Sequence, residues 1–393
     1  MRAAFQDPAV RAIMFSQLVI STALFYLFPA MVLEWRAEFG WSLGQLMGAF
    51  SVALGVQGLS FRTTGRWIDR GQGAAVMAGG ALIAVVGLAL LTQVTALWQF
   101  YLIWAMLGLA MAMTLYDAVF ALLIRSRGAA AQGPITLVAL GAGLASSAAF
   151  TSTAVLSAMW GWRGAVICLA GLVLFVHLPL ITFATRRLQR DGECQPEPGG
   201  SVPIQTPGGP GPWMLSMAIS FSALGIGMIF SHLMPLLRWL ELEPAQVVLA
   251  ASLVGPAQIA GRLAIGFSLT GWPRLHLAVG GLVGLAAAPI LLLLSALGPS
   301  SAFAFAAVFG ICYGISSVLR PMVIREVLGQ GGFGRSQGAV LGPAFVAFGA
   351  APYLAAILVE ATGYLGVLIL FSGSQTAGAW LLQRSRPALP RPA

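Results

Sequence analysis

The side chains in this chain that could do chemistry are few and widely spaced. Asp117 stands inside a long apolar run, where a charge is expensive and faces either a partner or a cavity. Arg320 is a base inside another such run. Counted inward at 1.5 Å per residue, Asp117 lies about 10 Å from Ile124 and Arg320 about 6 Å from Ile324, the ends of their runs. Proton coupling needs a titrating group, so Asp117 and the histidines are its candidates. His232 sits beside Ser231 and before Pro235, and reads either as a relay or as a hydrogen-bonded strut. His177 is a weaker candidate, and His276 reads as a loop residue. Gln17, Ser21, Tyr26, Tyr116, Tyr313 and Ser316 offer hydroxyls, an amide and aromatic faces that could orient a small organic solute. Bonding between helices and anchoring at the membrane interface explain them equally well.

Other chemistries are missing their parts. The cysteines Cys168, Cys194 and Cys312 form no C-x-x-C pair and no metal-ligand spacing. H-E-x-x-H does not occur, and the G-x-S-x-G spacing at Gly40 to Gly44 and at Gly334 to Gly338 lies between apolar runs, without the strand-to-helix turn that a nucleophile elbow needs. All 21 basic residues are Arg, so the Lys of a phosphate-binding G-x-x-x-x-G-K-[ST] loop is lacking and ATP-driven pumping by this chain is excluded. The apolar runs contain no carboxylate cluster, which argues against a metal cage or a polycation site. The reading is therefore no enzyme, no cofactor and no metal.

The elements that must position these residues follow from composition. The 393 residues are 58% hydrophobic and 8% charged, whereas soluble chains carry about 25% charged residues. A membrane helix needs roughly 20 mostly apolar residues. Six such spans fall at about Ala12 to Leu33, Leu43 to Phe61, Gly73 to Leu91, Trp98 to Ile124, Pro134 to Met159 and Gly164 to Ala184. Residues 185–212 are polar and rich in Gly and Pro, a linker. Six more fall at about Trp213 to Leu237, Gln246 to Phe267, Leu275 to Ala296, Ser300 to Ile324, Ala339 to Val359 and Tyr364 to Leu382. The expected fold is an all-α membrane protein of 12 transmembrane helices. Residues 1–184 form one six-helix bundle, and 213–393 form a second with a short basic tail.

The formal charge of +9 lies in short loops and so reports topology rather than nucleic acid. With a cytoplasmic N-terminus, only Arg36, Arg163 and Arg238 fall in loops on the far side. The loops on the near side take the other loop and tail arginines, from Arg2 and Arg11 to Arg384, Arg386 and Arg391. That imbalance places both termini in the cytoplasm. The first apolar run is too long for a removable signal peptide and lacks a small-residue cleavage site.

The two halves repeat weakly at an offset of about 200 residues. Gly65-Arg66 matches Gly261-Arg262, Pro29 matches Pro235, and the run ending at Arg125 matches the one ending at Arg325. The loop Gly65-Arg66-Trp67-Ile68-Asp69-Arg70-Gly71 resembles the G-x-x-x-D-R-x-G signature of the major facilitator superfamily. It departs from it in that Gly71 falls one position early, Gln72 follows and the next basic pair is missing. The second copy carries Ile265 where Asp69 stands. Gly161-Trp162-Arg163 resembles the GWR turn of bacterial members, and Gly255-Pro256 with Gly261-Arg262 is similar to them as well.

The resemblance implies two pseudo-symmetric bundles working by alternating access, with a small-molecule substrate, a lipid bilayer around them, protons as a candidate coupling ion and a monomeric state. It implies a conformational gate at Gly65, Arg66, Asp69 and Arg70, with Asp69 capping a helix of the other half and pairing with Arg125 or Arg127. It also implies that the fourth and tenth spans line one cavity, so Asp117 and Arg320 are expected to pair there as part of the same conformational gate, with Arg125. Separate reach of each to the headgroups is the alternative. The substrate and proton candidates are Gln17, Tyr26, Tyr116, Asp117, His232 and Tyr313. The expected function is secondary transport of a small organic solute across a bacterial inner membrane. Import and export are both open, as are proton symport, antiport and uniport. A sensor or assembly factor that keeps the fold and moves nothing is the competing reading.

Overall fold

The computed structural model describes residues 5–192, 211–267, 272–293, 298–328 and 333–385. The connector between residues 193 and 210, including Cys194, the tail from residue 386, and Arg2 lie outside the described residues. Those described are helical, with no strand among them. The first unit, Met1–Pro198, holds α1 (Pro8–Ala23), α2 (Leu27–Phe39), α3 (Leu43–Trp67), α4 (Gly73–Leu91), α5 (Leu97–Thr114), α6 (Tyr116–Arg127), α7 (Gln132–Ala142), α8 (Ala145–Leu172) and α9 (Leu178–Gly192). The second, Gly199–Ala393, holds α10 (Gly211–Ser231), α11 (Leu233–Trp239), α12 (Pro244–Phe267), α13 (Arg274–Leu293), α14 (Ser300–Leu328) and α15 (Phe333–Arg384).

Among the described residues, nine helical stretches are long and apolar enough to cross a membrane. Three of them, Leu43–Leu91, Gln132–Arg190 and Leu341–Arg384, run to 49, 59 and 44 residues, at least twice the roughly 20 that one crossing needs. Each is interrupted by a glycine with positive φ: Gly71 at 84°, Gly161 at 69° and Gly363 at 70°. A residue with a Cβ is strained there, so the chain changes direction where only glycine is comfortable, and each stretch has room for two crossings.

Prolines break two other spans that read as continuous in the sequence. Pro29 has no N–H to give, and its ring displaces the carbonyl four residues earlier. The chain leaves helical geometry between α1 and α2, where the Tyr26 N–H reaches back to Ser21 O at 3.0 Å. Pro235 does the same in the second unit, and the break falls at His232, which precedes α11. Tyr26 and His232 each stand three residues before their proline, so the two breaks correspond.

The internal repeat extends to packing. Gly80 in α4 lies against Ala110, Met113 and Thr114 of α5, and Gly281 in α13 lies against Cys312, Ile315 and Ser316 of α14. A Cβ on either glycine would come closer to its neighbours than real Cβ atoms do. Buried polar ties repeat likewise. His177 Nδ1 meets Ser16 Oγ at 2.7 Å, joining the turn before α9 to α1. Gln375 Nε2 donates to Ser222 O at 3.2 Å, joining α15 to α10.

Candidate functional site

In the first unit the site centres on a break that the sequence reading did not foresee. The fourth span was expected to run unbroken from Trp98 to Ile124. Instead α5 ends at Thr114, Leu115 is extended (φ −78°, ψ −176°), and α6 starts at Tyr116. Neither glycine nor proline marks the place. Local polar groups hold it: Gln17 Nε2 on α1 donates to Thr114 O at 2.7 Å, a carbonyl at the end of α5. The Thr114 hydroxyl donates to Ala110 O at 2.7 Å.

Asp117 therefore lies in the first turn of α6 rather than midway along a helix. The unbonded N–H groups of a helix start favour a carboxylate by about 0.3–1 kcal/mol, which lowers the cost of an acid at this depth. Asp117 and Tyr116 are both half-buried, and the Tyr116 ring packs on Phe120 at 5.7 Å.

The break faces α1, where Gln17 is fully buried and its Oε1 has no hydrogen-bond partner. Ser21, one turn further on, is also buried with its hydroxyl unpartnered, as is Ser146 at the start of α8. Buried polar atoms are satisfied in the great majority of cases. Such a set inside an apolar bundle is what a polar solute or ordered water would complete. Tyr26 is buried at the α1–α2 break, with its ring against Phe25 at 5.0 Å.

At the arginine-rich end, Gly65 and Arg66 lie in the last turn of α3, and Arg66 Nη2 donates to Thr63 Oγ1 at 3.1 Å. Asp69 and Arg70 are exposed in the wide turn Ile68–Gln72. The backbone of Gly71 passes beside the Arg125 guanidinium and accepts a bond from the Gln189 side chain through its carbonyl. No ion pair joins Asp69 to Arg125 or Arg127 among the described residues. Arg127 Nη2 donates instead to Asp7 Oδ2 at 2.6 Å. Asp7 also caps α1 by accepting from the Ala9 N–H at 2.9 Å. Sequence reasoning passed over Asp7, although an Asp followed by Pro at the first helical position is a recognisable helix start.

At the opposite end, Gly161-Trp162-Arg163 forms a brace. Arg163 Nη1 donates to Glu38 Oε1 at 2.7 Å, Arg163 Nε donates to Thr92 O at 3.1 Å, and the guanidinium lies 4.4 Å from the centre of the Trp162 ring. One side chain thus ties α2 and the loop after α4 to the bend in α8.

In the second unit His232 is buried at the α10–α11 break. Its Nε2 lies 3.0 Å from Pro352 O, so Nε2 carries the proton and donates. Nδ1, 3.3 Å from the Tyr364 hydroxyl, accepts. Tyr364 follows Gly363 as Trp162 follows Gly161, a correspondence missed in the sequence because the flanking residues differ. Tyr313 packs its ring on Phe230 at 5.0 Å. Arg320 is half-buried on α14 and lines a cavity inside this unit.

No curated protein matches the chain. The family model of the Major Facilitator Superfamily matches residues 13–340. That match takes in all of the first unit's described helices beyond the start of α1, and the second unit into α15. With most of its length matched, and with helices apolar enough to cross a bilayer, the chain belongs to the Major Facilitator Superfamily and is a multi-pass membrane transporter of a small-molecule substrate.

Proposed function

We propose that this transporter is secondary active, crosses a bacterial inner membrane 12 times with both termini in the cytoplasm, and moves a small organic solute by alternating access. It works as a monomer, without enzymatic activity. The observation that carries the reading is the break at Leu115. It sets Asp117 at a helix start three residues after Thr114, whose carbonyl is held by the buried, incompletely bonded Gln17. Interrupted helices supply substrate and ion sites in many transporter folds because their ends present backbone groups without partners. In this reading Asp117 carries the coupling proton or orients the solute, and Gln17, Tyr26 and Tyr116 shape the first half of the site. Tyr313 contributes from the second half, where His232 holds a broken helix in place. Gly65, Arg66, Asp69, Arg70 and Arg125 form the gate at the arginine-rich end, and Asp117 and Arg320 pair during the cycle.

The test is unfolding temperature of the detergent-purified protein against a panel of metabolites, vitamins, drugs and oxyanions. A ligand bound only to the folded state raises stability by RT ln(1 + [L]/Kd). Hits are then followed by uptake into proteoliposomes with and without a pH gradient. A ligand whose shift and uptake both vanish in Asp117→Asn supports the assignment. Uptake that proceeds unchanged in that variant overturns it.

A further inference from the structure

The second unit contains a cavity built within its own helices α10, α13, α14 and α15, and its chemistry is distinct from that of the first unit's break. The walls are apolar: Leu215 and Ile219 on α10, Leu282 on α13 and Leu382 on α15 line it. Ser222 on α10 adds a hydroxyl to the lining, and two further polar groups enter from one face of α14. Ser316 and Arg320 are four residues apart, hence one turn above the other. The Ser316 hydroxyl is nine-tenths buried and has no hydrogen-bond partner. Arg320 has no ion pair or hydrogen bond among the described residues. Lining the cavity there is one positive charge and no carboxylate.

A guanidinium half-withdrawn from water is costly without an anion to receive its N–H groups. A hydroxyl one turn away adds a donor to the same point. The space open to the centre of a water molecule is about 40 Å³, and one water needs ~10–15 Å³ on that measure. A ligand of about three or four non-hydrogen atoms therefore fits. A divalent anion would bring a second charge against leucine side chains with nothing to meet it.

We propose that this cavity binds a small organic monoanion, a carboxylate with a short apolar end. One carboxylate oxygen accepts from Arg320 and the other from Arg320 and Ser316, while the alkyl end rests on Leu215, Ile219 and Leu282. The inference needs no solute movement, so its test is separate from the transport reading, although both use Arg320: the anion holds the guanidinium when Asp117 is not paired with it.

The probe is sodium acetate, added to the purified full chain at constant ionic strength held with sodium gluconate, whose anion is too large for the space. Unfolding temperature is read against concentration for acetate, its neutral analogue acetamide, nitrate and chloride. Acetate is expected to give a saturating rise and acetamide none. Arg320→Met should weaken the apparent affinity at least tenfold, and Ser316→Ala by about fivefold, the worth of a hydrogen bond near 1 kcal/mol. Ala278→Leu keeps the charge and fills the space, and should abolish the shift. This variant, with Arg320→Lys, keeps the test decisive if Arg320→Met fails to fold. An acetate shift that survives Ala278→Leu and either Arg320 substitution would overturn the site. No shift with any anion would mean that Arg320 only reaches toward the headgroups. Equal shifts from nitrate or chloride would overturn the carboxylate assignment in favour of an inorganic anion.

Discussion

Replacing His232 separates a strut from a relay. The ring joins the α10–α11 break to α15 through Pro352 O at 3.0 Å and the Tyr364 hydroxyl at 3.3 Å. Hydrogen bonds between membrane helices average about 0.6 kcal/mol by double-mutant cycles, so two of them contribute about 1.2 kcal/mol. His232→Leu keeps most of the volume but removes both bonds, and the lost packing of the ring against Tyr364 adds a contribution of similar size. About 2 kcal/mol of destabilisation is expected. His232→Gln carries a donor and an acceptor at comparable reach and should cost less than 1 kcal/mol. Unfolding in mixed micelles with rising SDS, followed by tryptophan fluorescence, measures both. If the histidine is a strut, Gln also retains uptake of any solute identified, and the pH dependence of that uptake is unchanged. Equal stability of His232→Leu and the parent protein would refute the bonding argument. A Gln variant that is stable but has lost proton-driven uptake would refute the strut.

Gln17→Leu should strand the Thr114 carbonyl at the α5–α6 break and cost about 1–3 kcal/mol, whereas a change of under 0.5 kcal/mol in the same unfolding assay would mean the break does not depend on Gln17. Glu38→Gln is expected to cost at most about 1 kcal/mol, since that ion pair is nearly half exposed. Arg163→Ala should cost more, because it also removes the bond to Thr92 O and the contact with Trp162; equal losses would count against the brace. Ser16→Ala leaves His177 Nδ1 its second contact, Ser16 O at 3.1 Å, and should cost about 1 kcal/mol or less, with Ser16→Ala/His177→Leu no worse than His177→Leu alone; additive losses would contradict this. Reversing charge at Asp117 and Arg320 singly should abolish uptake, and reversing both should restore part of it. Failure of the double reversal to rescue either single one would remove the pairing.

Proline and glycine made part of the geometry legible, although the spans holding Pro29 and Pro235 read as continuous and only the match between the two prolines stood out. Pro29 and Pro235 mark the two corresponding breaks, and Gly161 marks the bend before Trp162. The apolar runs gave the helical class because a bilayer leaves backbone groups no other way to be satisfied. Leu115 was opaque, since its extended backbone is held by Gln17, nearly a hundred positions away, and no local residue type announces it. Asp69 shows a different limit. Its signature could be recognised in the loop, but the choice of Asp7 as the Arg127 partner depends on how α1 packs beside α6, which spacing along the chain does not encode. Gly363-Tyr364 escaped notice because the match to Gly161-Trp162 lies in backbone dihedrals rather than in side chains.

The Arg163 brace has a mechanical consequence. With α2 and the loop after α4 each bonded to one guanidinium at the bend in α8, drawing α2 away breaks the contact with Glu38 and drawing the loop away breaks the bond to Thr92 O. A displacement of α8 is therefore felt by α2 and by the loop after α4 through that one side chain, as a lever arm passes on a turn of its axle.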